Sequence, residues 1–318
     1  MNTSSDRSPA RDWEHRVRGT LLAAAYADAV TLELATRPGA DEGTIDRLTA
    51  PVPDRDLQFG HVTGQMLLLA CRLVRESAPD PPADGAAVVP AAWDAGTYPS
   101  EPALWICPVG LLPGLPLDAV AARARAVAAG IGVPELSQEI AALQAVAVAA
   151  VAGRPRGQVL DAADLIATVS AHARSPLLHD ALQLVVALTG SRSTRAEVLG
   201  QLSTGHPSVV AYVGALHAFL THPDDPGSLL REALTWSRAG RGAAVMAAAL
   251  AGARLGDDQV GYGWGTRLRA SLRVWSVGGQ LAELVHPAAP LAASRATVVV
   301  RQADGDMTEA SIWGRRRL

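Results

Sequence analysis

Asp28, His61 and Arg241 are the residues whose types and settings most invite chemistry. Asp28 stands within the apolar run AAAYADAVT, so its carboxylate enters a helix with few polar neighbours. Such a group either packs within its helix or caps a helix, or it faces a cleft and pairs with a cation such as Arg241. His61 opens the segment HVTGQMLLLACRLV. Imidazole titrates near neutrality and serves as a general base when it is positioned, although a histidine with no visible partner is as readily structural. Thr63, two residues on, suits a helix start, as a cap or as a hydroxyl for a ligand. Arg241 lies between Gly240 and Gly242, where a helix is expected to begin. A guanidinium beside unpaired N–H groups can hold phosphate or carboxylate; the alternative is a solvated arginine.

Other candidates are weaker. Trp105 and Cys107 could line a cleft or simply fill the core. The segment GDDQVGYGWG (256–265) places Asp257, Asp258, Tyr262 and Trp264 on a glycine-rich stretch. Those side chains could bond a ribose and stack on a base, or the segment could be a plain helix connector. His206, His217 and His222 show no zinc-ligand spacing.

The elements that must position these groups are almost all helices. Helical patterning is strong over 13–35, 64–77, 116–130, 135–152, 158–173, 176–189, 207–221, 227–238, 242–255 and 264–285, which predicts an all-α, multi-helix fold. Asp225 followed by Pro226 suits a helix N-cap and first turn. Residues 1–12 are expected to be disordered, 13–290 to form one helical domain, and 78–102, rich in proline, alanine and glycine, to make a long surface excursion. In the tail (291–318), the β-branched run ATVVVRQA, then Asp304-Gly305, then MTEASIW predicts a short β-hairpin.

Composition narrows the classes. Apolar residues make up 49% of the 318, enough for a large core, while aromatics are only 4%. Every one of the 28 basic residues is arginine, which lowers the meaning of any single one. A net charge of -3 argues against a general nucleic-acid partner, and Arg315-Arg316-Arg317 reads as a solvated end. Two cysteines are too few for a disulfide framework. With a polar N-terminus and a longest apolar run (140–152) too short to span a bilayer, a cytoplasmic protein without a membrane partner is expected.

Residues 207–256, PSVVAYVGALHAFLTHPDDPGSLLREALTWSRAGRGAAVMAAALAGARLG, carry a resemblance. They are similar to the C-terminal core of the ADP-ribosylglycohydrolase family, in which a helix ending A-F-L, a D-D turn and a second helix precede a metal loop, G-G-D-T-D-T, and a small-residue helix. That last helix is present as AALAGARLG, so the metal loop falls on Ser237, Arg238, Ala239, Gly240, Arg241 and Gly242. RGTLLAAAYADAVT (18–31) is similar to the family's opening motif and keeps Asp28. The S/T-D-D-T motif corresponds to Gly60, His61, Val62 and Thr63, and only Thr63 is kept. ALWICPVGLLPG (103–114) resembles a third motif, with Trp105 where an arginine is usual. A further metal-holding glutamate falls on Ala35, with Glu33 two residues away.

The resemblance implies a hydrolase fold built around two magnesium ions. Magnesium takes hard oxygen ligands, and a pair of ions needs several carboxylates to offset their charge. Glycine, imidazole, valine, alanine and a guanidinium do not supply them, and Arg241 would repel a cation. The expectation is therefore no metal cofactor and no di-magnesium hydrolysis: a degenerate member that binds a nucleotide-like or small anionic ligand, or a protein partner. Two alternatives stand beside it. One is a metal-independent enzyme in which His61, Asp28 and Arg241 work on a small metabolite; the other is a purely structural protein.

Overall fold

A computed structural model describes residues 9–37, 40, 42–50, 56–77, 101–190, 193–202, 206–236, 241–285, 295–301 and 307–313. Fourteen α-helices follow one another through these residues. They are α1 (Pro9–Ala35), α2 (Glu42–Thr49), α3 (His61–Glu76), α4 (Cys107–Gly110), α5 (Leu117–Ala129), α6 (Glu135–Ala152) and α7 (Ala162–Ser170). Then come α8 (Pro176–Thr189), α9 (Arg195–Leu202), α10 (Pro207–Thr221), α11 (Pro226–Leu234), α12 (Arg241–Leu255), α13 (Asp257–Val260) and α14 (Ser271–Ala282). The helical plan expected from periodicity is the one observed. α2 and α9, eight residues each, went unseen because two turns carry too little periodic signal.

The centre is built from α1, α6 and α12. In α1 nearly every residue from Arg16 to Thr31 is buried, as are most of α6 and of α12 beyond its first turn. Alanine dominates these helices because their backbones lie close together. Gly19 of α1 meets Gly252 and Gly256: a Cβ on Gly252 would run into the Gly19 carbonyl oxygen and stand 2.5 Å from its carbon. Gly256, which ends α12, has φ +80, a left-handed conformation that glycine adopts without strain. Because Gly19 meets Gly252 while His15 meets Asp257, α1 and α12 run in opposite directions.

Leu57 then fixes the approach to α3. It forms a lone parallel bridge with Leu268, with Leu57 N donating to Arg267 O (2.8 Å) and Arg269 N to Leu57 O (2.7 Å). This clamp holds the strand of chain that delivers Gly60 and His61 against the body.

Two buried carboxylates cap helices other than their own. Glu139 of α6 accepts from Ser175 N (2.7 Å) and Arg174 N at the start of α8. Asp28 of α1 does the same for α3. Elsewhere the caps are local and were readable: Asp225 accepts from Ser228 N (3.1 Å) with Pro226 in the first turn of α11, and Asp161 caps α7.

Some expectations change. Residues 9–12 are helical rather than disordered, because Asp12 is tied to Arg16 (2.8 Å) and Arg156 (2.5 Å). The 256–265 stretch is not a loop: α13 runs into one π-helical turn, Gly261–Gly265. Residues 1–8, the 78–100 excursion, Ser237–Gly240 and Arg315–Arg317 lie outside the described residues. In the tail, Arg295–Arg301 (β1) pairs antiparallel with Met307–Trp313 (β2), from Arg295↔Trp313 to Arg301↔Met307.

Candidate functional site

Asp28, Gly60–Thr63 and the start of α12 gather at one end of the α1–α12 pair. Asp28 lies nine residues beyond Gly19, and Ala243 nine before Gly252. Antiparallel packing therefore carries both about 14 Å to the same end, with Arg241 beside them at the first turn of α12. The clamp at Leu57 brings Gly60, His61 and Thr63 to this end as well.

Asp28 decides what this end can do. Its Oδ2 accepts three hydrogen bonds, from Gly60 N (2.8 Å), Thr63 N (3.1 Å) and Thr63 Oγ1 (2.8 Å). Gly60 is the N-cap of α3 and Thr63 its third residue, so Asp28 satisfies the orphan donors of the helix start. The carboxylate also faces the positive end of the α3 dipole. Asp28 is 4% exposed and Thr63 1%. Gly60 is tightly placed, since a Cβ there would lie 3.2 Å from Asp28 Oδ1.

Oδ2 of Asp28 carries all three donors, and Val62 is buried and apolar. Glu33 pairs with Arg37 at 3.0 Å. The one group of potential metal ligands among the described residues is His15, Asp257 and Asp258, at the far end of α1.

Several sequence-stated site residues are placed differently. Thr63 does not cap α3 itself: its amide and hydroxyl both donate to Asp28, so neither donor is left for a ligand. His61 is partly exposed at the first position of α3. Trp105 has no exposed surface and Cys107 1%, so both are core rather than cleft wall. Cys107 Sγ touches Met66 Sδ (3.4 Å), and burial pushes its thiol well above the usual range. Trp264 offers no platform for a base, because it is stacked on Tyr26 with centroids 4.7 Å apart. The side chains of Arg241 and Tyr262 lie outside what the structure describes.

Asp257 is not part of this end. It is buried, with Oδ1 against His15 Nδ1 (2.5 Å) and Oδ2 accepting from Trp275 Nε1 (2.7 Å). His15 precedes Asp28 by thirteen residues, about 20 Å along α1. Asp257 was missed as a structural anchor because its partners His15 and Trp275 stand 242 and 18 residues away in sequence.

Glu101 was also missed. It accepts from Ser208 Oγ (2.7 Å) and Ser137 Oγ (3.1 Å), joining α10 and α6. Burial raises its carboxyl above the ordinary range, and the two serine hydrogen bonds pull it back.

The sequence profile of the family described as ADP-ribosylglycohydrolase matches residues 64–296. The chain belongs to the ADP-ribosylglycohydrolase family. The match begins just after Gly60–Thr63. The α1 helix that bears Asp28 also lies outside it, and its place in the fold comes from packing on α12. No curated protein matches the chain by sequence.

Among the described residues, α6 is the one helix long and apolar enough to cross a membrane, and 67% of that stretch is buried in the domain. It is a core helix here.

Proposed function

We propose that this family member has exchanged di-magnesium hydrolysis for ligand binding at the end of the α1–α12 pair. The supporting observation is the commitment of Asp28 to the start of α3. The one aligned carboxylate retained from the motifs is spent on Gly60 and Thr63, and the positions that would complete a metal site are His61, Val62, Ala239 and Arg241. What this end retains is the start of a fifteen-residue helix, whose first N–H groups favour an anion, with the guanidinium of Arg241 on its first residue. A phosphate- or carboxylate-bearing small molecule of nucleotide-like character suits that chemistry. A protein partner in the cytoplasm is the second class of occupant.

Two measurements on the purified chain test this. Incubation with ADP-ribosylated arginine or serine conjugates in magnesium or manganese should release no ADP-ribose, and either metal alone should leave the melting temperature unchanged. ADP-ribose or ADP should raise it in chelator. Metal-dependent release of ADP-ribose would refute the proposal. Chelator-insensitive turnover that disappears in His61→Ala would move the chain to a metal-independent enzyme.

A further inference from the structure

A cavity of about 110 Å³ lies at the opposite end of α1, bounded by Arg16, the Arg154–Gly157 turn, Asp224, Arg254 and Gln259. Arg16 stands twelve residues before Asp28, so this cavity is about 18 Å along the helix from the site above. Four guanidiniums face it against a single wall carboxylate, Asp224, which is held by Arg254 through two contacts of 2.7 and 3.1 Å. Three further carboxylates touch the other arginines from outside the wall: Asp12 on Arg16 and Arg156, Asp258 on Arg156, and Asp164 on Arg154.

Helix ends explain part of this clustering. Arg16 Nη1 donates to Val151 O (3.4 Å) and Ala253 O (3.3 Å), in the last turns of α6 and α12. Its Nε donates to Asp12 (2.8 Å). Nη2 remains. Arg16 is 2% exposed, yet Nη2 meets no acceptor among the described residues, and neither does Nη2 of Arg156. Buried guanidinium N–H groups without acceptors call for an acceptor in the adjoining space. The cavity is well below the roughly 300–1,000 Å³ of sites for drug-sized ligands, and a small oxyanion fits its scale.

We propose that this cavity is a second, separate site that takes one small tetrahedral oxyanion, free phosphate or the phosphate end of a ligand. Arginine suits it because its planar fork donates two hydrogen bonds to adjacent oxygens. The site goes beyond the reading of the Asp28 end and does not depend on it.

Calorimetric titration of the full chain with inorganic phosphate, at fixed ionic strength, tests the assignment. Arg154→Gln removes one wall charge, and Gln259→Glu adds an opposing one at an exposed position. Phosphate binding weakened about tenfold by either wall substitution, and unchanged by Arg123→Gln, an arginine of α5 that pairs with Glu76 outside the wall, is the expected result. No saturable heat, or heat indifferent to both wall variants, would overturn the proposal. Heat lost in Arg241→Ala alone would place the anion at the other end of α1 and overturn it equally. Folding of each variant is checked by its helical circular dichroism, and Gln259→Glu keeps the question answerable if Arg154→Gln does not fold.

Discussion

Replacing Asp28 by alanine tests the assignment of that carboxylate most directly. The substitution strands Gly60 N, Thr63 N and Thr63 Oγ1, all now bonded to one oxygen at 2.8 to 3.1 Å. Each buried donor left unsatisfied costs about 1–3 kcal/mol. The Thr63 hydroxyl can turn to another acceptor and Gly60 is only half-buried, so the full sum is not reached. We expect a loss of about 3–4 kcal/mol for Asp28→Ala, larger than the roughly 0.5–2 kcal/mol of an ordinary cap. At about 2–4 °C per kcal/mol this is a fall of about 6–16 °C in melting temperature. Asp28→Asn keeps an acceptor oxygen but gives up the charge at the helix start. It should lose only about 1 kcal/mol. Urea denaturation of the three proteins, with and without magnesium, separates the outcomes. A loss below about 1 kcal/mol for Asp28→Ala, or equal losses for the two variants, would refute the capping role. Stabilisation of the wild type by magnesium that vanishes in Asp28→Asn would show a metal ligand instead.

Other consequences follow from packing and burial. Gly252→Ala sets a methyl group against the Gly19 carbonyl, where neither backbone can yield cheaply, and should cost about 3 kcal/mol or more by denaturation; a loss under 1 kcal/mol would mean that α1 and α12 separate easily. His217 is held below the ordinary imidazole range chiefly by burial, with Glu232 pulling the other way. The unfolded chain therefore takes its proton first, and this part of the stability is complete above the unfolded value and lost as pH falls. Between about pH 7 and about pH 5 the wild type should lose more stability than His217→Gln, and parallel pH curves would contradict this.

Alanine-rich helical periodicity was enough to determine an all-α fold, because a stripe of small residues is itself the instruction for close helix contact; the family came from the motif resemblance centred on 207–256. The same holds for local caps. Asp225 and Pro226 sit next to the turn they start, so both partners of the interaction are visible in one stretch of chain. That Val62 and Ala239 stand where the resemblance puts carboxylates is likewise a reading of the sequence alone.

Tertiary structure decided what the remaining side chains do. Asp28 is thirty-two residues from Gly60, and a chain pattern names capping and cleft pairing without naming the helix that is capped; α1 lying beneath the start of α3 supplies it. Trp105 and Trp264 could have been ligand platforms; burial against the core and against Tyr26 removes them. Asp257 belongs with His15 because α12 runs antiparallel to α1 and returns its end to the first turns of the chain. The four arginines of the cavity come from three separate stretches of the chain, and none of them differs by type or spacing from any other arginine in the sequence. Periodicity records which face of a helix is buried. Which helix lies against it, and which donor meets which acceptor there, depends on contacts between residues far apart in sequence.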